Sequence, residues 1–439
     1  MKNLQNNMKV WSDAKLFIPG GTQLLSKRPD QFSEGIWPSY YSSAKGVEVW
    51  DLDNNKYVDM SIGGIGATIL GYADPDVDGA VKDAIDKGVA TSLNCPEEVE
   101  LANVLCEIHP WADMARFARS GGEAMAMAVR IARAATGKDI VAFCGYHGWH
   151  DWYLSANIGT ENALGEYLLP GLDPVGVPKA LKGTSYPFHY NNLDELEQIA
   201  AKHGNDLGVI VVEAIRNDPP TPEFRDGIRE IADRTGAVLI VDEISSGFRY
   251  LTGGAHLKFG IKPDMAVFSK ALGNGYAIAA VIGTGEVMQA AQLTFISSTN
   301  WTERIGPVAA LAMIEKHKKV NAGKHLTLIG KKVQEGWLKA ANKVGLDIDV
   351  GGIPQMSHFS FDNPVFPEMK AYFIQLMLEE GFLASNSFYA MYAHSDNNVS
   401  RYLDCTVSAF SKLKDSLEEG TLESKLHGHP SGTGFSRLT

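Results

Sequence analysis

The feature that most constrains the fold of this chain is a regular alternation of short apolar runs and helical patterns between residues 116 and 283. Most runs consist of Val, Ile, Leu, Ala or Phe without polar alternation, and the segments between them repeat apolar residues at helical spacing. We predict strands at 116–118, 140–144, 208–213, 237–242, 265–269 and 279–283. Such strands, separated by helices, are typical of a parallel sheet covered on both faces. The sequence therefore predicts an α/β fold with a mainly parallel central sheet.

The two ends of the chain indicate a second, smaller domain. An Asp/Asn-rich turn predicts a hairpin near the N-terminus, and the C-terminal pattern of helices and short strands is typical of an α+β domain. These further elements are a hairpin at 47–60, strands at 348–350 and 358–361, and helices at 8–18, 75–88, 97–108, 121–136, 193–203, 223–234, 304–320, 324–343 and 365–380. A chain of 439 residues is too long to fold around one simple core. We predict an N-terminal segment (1–70), a large domain (71–310) and a C-terminal small domain (311–439).

Charge, cysteine usage and the distribution of apolar residues argue against several classes of protein. The net charge is -12 and no long basic block is present, which argues against nucleic acid or an anionic membrane as a partner. The four cysteines form no Cys-x-x-Cys pair, so we expect neither a zinc framework nor disulfides. The N-terminus lacks the apolar core of a signal peptide, and no apolar run approaches the roughly 20 residues of a membrane span. We expect a cytoplasmic protein.

The predicted helix at 121–136 opens with a glycine-rich turn. Gly121 and Gly122 leave backbone N–H groups uncovered at the positive end of the helix, where a phosphate can bind. Ser120, with Glu123 three residues later, fits a capping box. The alternative is an ordinary capped helix without a ligand.

Aromatic and histidine residues follow the predicted strand at 140–144. Tyr146 is placed to lie flat on a planar cofactor. His147 and His150 have the spacing of a metal pair, but no cysteine or carboxylate set accompanies them, and we expect no metal site.

Charged residues end three more predicted strands. Glu213, Asp242 and Lys270 each follow an apolar run, where a charge is costly without a partner. A buried lysine can be used as a Schiff base with a carbonyl compound, and Asp242 can hold a protonated ring nitrogen. The alternatives are a lysine that extends to solvent and a structural ion pair at Glu213.

These residues gather where the carboxyl ends of parallel strands meet, which is where open sheets bind ligands. Phosphate cup, aromatic ring, Glu, Asp and Lys together describe a site for pyridoxal 5'-phosphate. The cup holds its phosphate, the aromatic ring stacks on its ring, Asp242 keeps its nitrogen protonated and Lys270 binds its aldehyde.

The sequence resembles class III pyridoxal-phosphate-dependent aminotransferases over nearly its whole length, and most of all their glutamate-1-semialdehyde 2,1-aminomutase branch. The motifs that carry the resemblance are Pro19-Gly20-Gly21, Val49-Trp50-Asp51, Ile69-Leu70-Gly71-Tyr72-Ala73, Ser120-Gly121-Gly122-Glu123-Ala124, Tyr146-His147-Gly148, Asp242-Glu243, Gly247-Phe248-Arg249 and Ser269-Lys270. The resemblance implies the type I aminotransferase fold and a homodimer with its sites at the subunit interface.

The resemblance also implies roles for single residues. Lys270 resembles the lysine of the internal aldimine and Asp242 the partner of the pyridine nitrogen. Ile244 resembles the residue that packs on the ring face opposite Tyr146. Glu213 matches a strand-end glutamate near the cofactor's phenolic oxygen. Gly121 and Gly122 resemble the phosphate cup, although the family usually has Ser or Thr at the second position.

Two further implications concern the partner subunit and the substrate. The family supplies a threonine to the phosphate from the second subunit, for which we choose Thr299, with Thr302 as the alternative. Lys27, with Arg28 next to it, occupies the position of the mutase's carboxylate-binding arginine. Tyr389 replaces a glutamate of the mutase. The large domain would bind the cofactor, and the N-terminal segment would contribute to the substrate site.

The implied function is transfer of an amino group from an amino-acid donor to an aldehyde or ketone acceptor. Because Lys27 and Tyr389 depart from the mutase pattern, and because Tyr40, Trp149, Trp152, Phe388 and Tyr389 are aromatic, we expect a larger or hydroxylated acceptor. These aromatic residues are equally compatible with core or dimer contacts. The alternatives are an isomerase with the same cofactor, either the aminomutase or an amino-acid racemase, and a non-catalytic protein that keeps the fold.

Overall fold

The computed structural model describes residues 2–159, 171–215 and 217–432. The chain divides into a larger unit, residues 75–324, and a smaller unit formed by residues 1–74 and 325–439. The domain boundaries at residues 70 and 310 that we drew from the sequence stay a prediction.

The strands are, in chain order, β1 (Tyr41–Lys45), β2 (Glu48–Asp51), β3 (Lys56–Met60), β4 (Met114–Ala118), β5 (Ile140–Cys144), β6 (Ser185–Pro187), β7 (Leu207–Glu213), β8 (Val238–Asp242), β9 (Met265–Phe268), β10 (Ala279–Gly283), β11 (Asp349–Ile353), β12 (Met356–Ser360), β13 (Phe382–Ala384) and β14 (Ser387–Tyr389).

The helices are, in chain order, α1 (Gln5–Phe17), α2 (Gly63–Gly66), α3 (Pro75–Asp86), α4 (Pro96–Ile108), α5 (Gly121–Thr136), α6 (Asp151–Leu154), α7 (Ala156–Gly159), α8 (Leu193–His203), α9 (Pro222–Thr235), α10 (Ala255–Phe259), α11 (Gly285–Met288), α12 (Ile305–Val320), α13 (Ala322–Val344), α14 (Phe366–Glu379), α15 (Asp396–Glu418) and α16 (Leu422–Lys425). Short 3-10 helices include Lys270–Gly273 and Thr299–Thr302.

The larger unit is built on a seven-stranded sheet in the order β4-β10-β9-β8-β7-β5-β6. The pairs β6–β5, β5–β7, β7–β8 and β8–β9 are parallel, whereas β10 is antiparallel to both of its neighbours. Strands β5, β8, β9 and β10 are buried along their whole length, which explains why both of their faces are apolar. The predicted α/β fold with a mainly parallel sheet is confirmed.

Helix α5 covers one face of this sheet and begins beside its carboxyl edge. Its buried side chains recur at helical spacing and join the core formed by Val141, Val209, Ile240 and Val267. The helix ends at Gly137, whose φ of 67° is the left-handed conformation that glycine adopts most easily. Because α5 packs along several strands, its first turn is fixed relative to the strand ends.

The smaller unit contains two sheets of its own. Strands β1, β2 and β3 form an antiparallel meander that β13 extends in parallel, and β11, β12 and β14 form a second, antiparallel sheet. Helices α14 and α15 supply large buried side chains, among them Phe373 and Phe410, which pack on Phe359 of β12. The predicted hairpin is confirmed as β2 and β3. Within the described ranges, no helix is long and apolar enough to cross a membrane.

Candidate active site

The predicted strand-end residues lie along the carboxyl edge of the seven-stranded sheet. Glu213 ends β7 and is paired in register with Asp242, which ends β8, and Asp242 is paired in turn with Val267 of β9. Lys270 follows β9 after one further residue, Ser269. We call Glu213, Asp242 and Lys270 the strand-end cluster. The sheet register thus brings together residues that are far apart in the sequence.

Lys270 occupies a strained position at the start of a 3-10 turn. Its φ is 43°, a left-handed conformation that costs a residue with a side chain about 1 kcal/mol or more. Its Nζ donates to Ser245 Oγ at 2.7 Å. Burial and then the charge of Arg249 lower the pKa of Lys270, while Asp242 and Glu213 act in the opposite direction. The amine is therefore shifted toward its neutral, nucleophilic form.

Asp242 is buried, with 3% of its surface exposed, and its carboxylate is held at both oxygens. Oδ1 accepts from the backbone N–H of Ile244 at 2.8 Å, and Oδ2 lies 2.8 Å from His147 Nδ1. The other ring nitrogen of His147 lies 3.1 Å from the carbonyl oxygen of Cys144. The His147 ring thus lies between two oxygen atoms, one of the Asp242 carboxylate and one of the Cys144 carbonyl, and this contact orients the carboxylate.

The turn after β5 lies close to Glu213. Gly145 has a φ of 117°, and a Cβ on this residue would lie 2.6 Å from Glu213 Cγ. A side chain is therefore excluded here for two independent reasons, backbone conformation and space. Tyr146 follows and is 44% exposed. Burial, and then the charge of Asp242, raise the pKa of Tyr146.

The start of α5 has the open backbone that the sequence predicts for a phosphate cup. A Cβ on Gly121 would lie 2.8 Å from Ile244 Cδ1, so Ile244 packs directly against this turn. The predicted capping box is wrong. Glu123 Oε2 accepts from the backbone N–H of Arg119 at 2.9 Å, and within the described chain no side-chain hydrogen bond from Ser120 caps the helix. The Glu123 carboxylate thus binds the backbone N–H of Arg119 instead of the N–H of Ser120 that a capping box requires.

Thr299 begins an exposed 3-10 turn, and Thr302 ends it. The guanidinium of Arg119 holds this turn, because Nε donates to the carbonyl oxygen of Asn300 at 2.8 Å and Nη2 donates to those of Trp301 and Glu303 at 3.1 and 2.5 Å. Arg119 lies two residues before Gly121, the first residue of α5, so its side chain connects the start of this helix with the turn at Thr299.

Lys27 and Tyr389, the predicted substrate residues, belong to the smaller unit. Lys27 is exposed, and its charge opposes the rise that burial causes in the pKa of Asp59. Arg28 is buried and forms a bidentate pair with Asp30 at 3.0 and 2.6 Å. Tyr389 donates its backbone N–H to the carbonyl oxygen of Ser61 at 2.7 Å. The substrate roles of Lys27 and Tyr389 stay predictions.

The predicted set of entrance aromatics needs correction. Trp152 and Phe388 are 6% and 0% exposed, so both are core residues. Trp149 is exposed, and Tyr40 and Tyr389 are partly accessible. Burial thus separates the five aromatics into core and surface, which sequence position did not reveal.

Sequence reasoning missed three positioning contacts. They are the bond from His147 to Asp242, the bond from Lys270 to Ser245, and the contacts of Arg119 with the turn at Thr299. His147 belongs to the Tyr146-His147-Gly148 motif, and Ser245 directly follows Ile244, which the resemblance assigns to the cofactor site. Their partners, however, are 95 and 25 residues away.

Comparison with known proteins gives consistent results. The profile of the family Aminotransferase class-III matches residues 33–392. The chain is 32% identical to 3-aminobutyryl-CoA aminotransferase of Cloacimonas acidaminovorans, over 94% of this chain and 99% of that protein. It is 30% identical to glutamate-1-semialdehyde 2,1-aminomutase of Persephonella marina, over 93% of this chain and 99% of that protein.

A solved structure shares the fold. The FumI protein of Sphingopyxis sp., in its PLP internal aldimine form, aligns with a TM-score of 0.85 at 23% identity, covering 96% of this chain and 98% of that one.

Proposed function

This chain belongs to the class-III aminotransferase family, and from that premise we propose that its chemistry takes place at the strand-end cluster of Glu213, Asp242 and Lys270. The enzyme is a pyridoxal-phosphate-dependent aminotransferase that moves an amino group from an amino-acid donor to an aldehyde or ketone acceptor. The observation that carries the site assignment is Lys270, an amine of lowered pKa that follows β9 next to the buried Asp242.

The donor set of the site fits pyridoxal phosphate. Asp242 is a buried carboxylate that requires a cationic partner, which a protonated pyridine nitrogen supplies. Gly121 has no room for a Cβ beside Ile244, so the backbone at the start of α5 stays uncovered for a phosphate. Lys270 provides the amine for the aldehyde. Tyr146 and Ile244 are the residues that would contact the two ring faces.

When bound, the cofactor supplies an aldehyde that condenses with amines and a ring that delocalises negative charge. Lys270 gives the nucleophilic amine and then, at Nζ, accepts and returns the proton of the substrate carbon. Asp242 holds a proton on the ring nitrogen, and His147 fixes the orientation of the Asp242 carboxylate through its 2.8 Å hydrogen bond. Ser245 holds Nζ in position through its hydroxyl.

We also propose that the enzyme is a cytoplasmic homodimer. Thr299 is exposed, and the segment before it carries Leu293 and Phe295, which are 80% and 85% exposed. Large apolar side chains that protrude together favour a protein partner over solvent. Thr299 would then contact the phosphate in the second subunit. Four free cysteines favour a reducing compartment.

The substrate assignment rests on Lys27 and Tyr389. A lysine binds a carboxylate less specifically than the bidentate fork of an arginine, so recognition of a substrate carboxylate would be looser. The accessible aromatic residues Tyr40, Trp149 and Tyr389 would suit a larger or hydroxylated acceptor. The similarity to an aminotransferase of 3-aminobutyryl-CoA adds β-amino thioesters as candidate donors. The similarity to the aminomutase keeps isomerisation as the second candidate function.

A half-reaction experiment separates these functions. The purified enzyme, loaded with pyridoxal phosphate, is incubated with one labelled amino donor and no acceptor. We expect about one equivalent of carbonyl product per site and then arrest, followed by further turnover when an acceptor is added. Continuous conversion without an acceptor would identify an isomerase.

A pair of lysine variants tests the site itself. Lys270→Ala should abolish both the visible absorbance of the lysine-bound cofactor and turnover. Lys258→Ala, which removes an exposed lysine of α10, should change neither. If the Lys270→Ala protein kept the absorbance and the activity, the assignment of the site would be wrong.

A further inference from the structure

The phosphate cup lacks a side chain at the position where class-III aminotransferases usually carry a hydroxyl. Gly122 occupies this position, one residue inside the start of α5. A Cβ built on Gly122 would lie 3.1 Å from Nδ1 and 3.2 Å from Cε1 of His150. An imidazole nitrogen therefore occupies the space next to that of the missing hydroxyl group.

The loop from Gly145 to Asp151 brings His150 to this place by packing closely on α5. Gly148 has a φ of 101°, and a Cβ on it would lie 2.9 Å from Gly122 Cα. A side chain on Gly148 would require the backbone of α5 to move, and a Cβ on Gly122 would be tight against the His150 ring. The contact of the two backbones fixes the loop, so that His150 lies beside the first turn of α5.

The Nδ1 atom of His150 is buried without a hydrogen-bond partner among the described residues. The rest of the ring is partly accessible and stacks on Trp149, with centroids 4.4 Å apart and an angle of 25°. A buried polar atom without a partner costs roughly 1–3 kcal/mol, so such atoms usually bind water or a ligand. Here the atom lies 3.1 Å from the position of a Cβ on Gly122, in the first turn of a 16-residue helix whose backbone N–H groups already favour an anion.

We propose that His150 donates a hydrogen bond from Nδ1 to the phosphate group of the cofactor and so replaces the absent hydroxyl at position 122. This inference rests on the proposed function, because it assumes that the cup binds the phosphate of pyridoxal phosphate. A neutral imidazole with its proton on Nδ1 is sufficient as a donor. Burial lowers the pKa of His150, and the carboxylates of Glu123 and Asp151 act against this shift.

The test compares two ligands that differ in the phosphate alone. Dissociation constants of pyridoxal phosphate and of pyridoxal are measured on the apoenzyme by absorbance or fluorescence titration, which requires no turnover. His150→Ala should weaken pyridoxal phosphate roughly tenfold to a hundredfold, the effect of losing a hydrogen bond to a charged group. Pyridoxal binding should not change. His150→Asn, whose amide can occupy the place of Nδ1, should restore part of the affinity.

A matched control is His203→Ala. His203 in α8 also has a buried ring nitrogen without a partner among the described residues, and it also stacks on an aromatic ring, that of Tyr186. This variant should bind both ligands like the wild type. Circular dichroism of each variant shows whether a weak titration reflects unfolding.

The double variant His150→Ala/Gly122→Ser provides a rescue. The hydroxyl should recover affinity for pyridoxal phosphate, whereas Gly122→Ser alone should lower it because the new Cβ meets His150. If His150→Ala weakens both ligands equally, or neither, then Nδ1 binds water and the inference is wrong while the proposed function stands. If the wild type binds neither ligand, the proposed function itself fails.

Discussion

At the scale of single residues, the hydroxyl of Ser245 is the group that most directly controls Lys270. Nζ donates to Ser245 Oγ at 2.7 Å, and a hydroxyl that accepts this bond stabilises the ammonium form more than the amine. Burial and Arg249 lower the pKa of Lys270, so Ser245 opposes these two influences. Loss of Ser245 should thus shift the amine further toward its neutral form and leave it less well oriented.

We expect Ser245→Ala to lower kcat about tenfold, the effect of one lost hydrogen bond of about 1.4 kcal/mol in the transition state. The reaction requires Lys270 as a neutral amine, so activity should decrease toward acidic pH as this amine becomes protonated. Because the substitution lowers the pKa of Lys270 further, this acid limb should move to lower pH. The measurement is kcat against pH, which reports the ionisation of groups in the enzyme–substrate complex, where Lys270 acts as a free amine.

Ser246→Ala is the matched control for Ser245→Ala. Ser246 is the next residue, and its hydroxyl donates to the buried Glu243 at 2.5 Å rather than to Lys270. This variant should lose thermal stability but keep the position of the acid limb. An unchanged pH profile in Ser245→Ala would contradict the role of the hydroxyl.

The sequence predicts residues at strand ends well, because a parallel sheet brings every carboxyl end to one edge. The positions of Asp242 and Lys270 can be predicted without knowing the direction of any side chain, because strand order and register determine them. His147 and Ser245 depend on the direction in which a turn projects its side chains. That direction is set by close backbone contacts such as that of Gly145 with Glu213, which no local pattern reveals.

At the scale of elements, Arg119 connects the first turn of α5 with the 3-10 turn Thr299–Thr302. Its guanidinium donates to three carbonyl oxygens of the 299–303 segment and lies 3.4 Å from the carboxylate of Glu303. Since this segment carries Thr299, we expect Arg119 to fix the position of a residue that we assign to the phosphate of the second subunit.

Arg119→Met should destabilise the protein by about 1–3 kcal/mol, because three acceptors lose one donor side chain. Hydrogen exchange should become faster at residues 299–303, and pyridoxal phosphate should bind more weakly. Arg304→Met is a control directly after this segment, since Arg304 pairs with Glu97 of α4 at 2.5 Å. Comparable exchange in the two variants would show that Arg119 has no special role in the turn.

Elements with a regular apolar pattern could be predicted from the sequence. Examples are α5, α8, β5 and β10, whose predicted bounds agree with the structure. Helix α15 was missed, although Val399, Tyr402, Phe410 and Leu413 lie on its buried face and Ser395 and Asn398 form a capping box before them. The short edge strand β6 gave no signal, because three residues are too few for a pattern. Local pairs such as Ser120 and Glu123 mislead when a neighbouring N–H competes for the carboxylate.

At the scale of the whole molecule, the proposed dimer depends on the segment from Leu293 to Thr299. Leu293 and Phe295 expose most of their surface, and the carbonyl oxygen of Phe295 accepts from Arg130 at 3.2 Å, which attaches the segment to α5. Phe295→Asp should therefore produce monomers, measured by sedimentation velocity, and weaken cofactor binding. Leu328→Asp changes an exposed leucine of α13 and should leave the dimer intact. A Phe295→Asp protein that stayed dimeric would exclude this segment from the interface.

A mixed dimer decides whether the two subunits share each site. Subunits with Lys270→Ala and subunits with Thr299→Ala are each impaired as homodimers, and they are unfolded and refolded together. If Thr299 serves the phosphate of the partner, each mixed dimer contains one site with an intact lysine and an intact threonine, and a second site with both defects. Activity should then exceed the average of the two parent proteins. If Thr299 served its own subunit, every site would carry one defect, and mixing would give no more than that average.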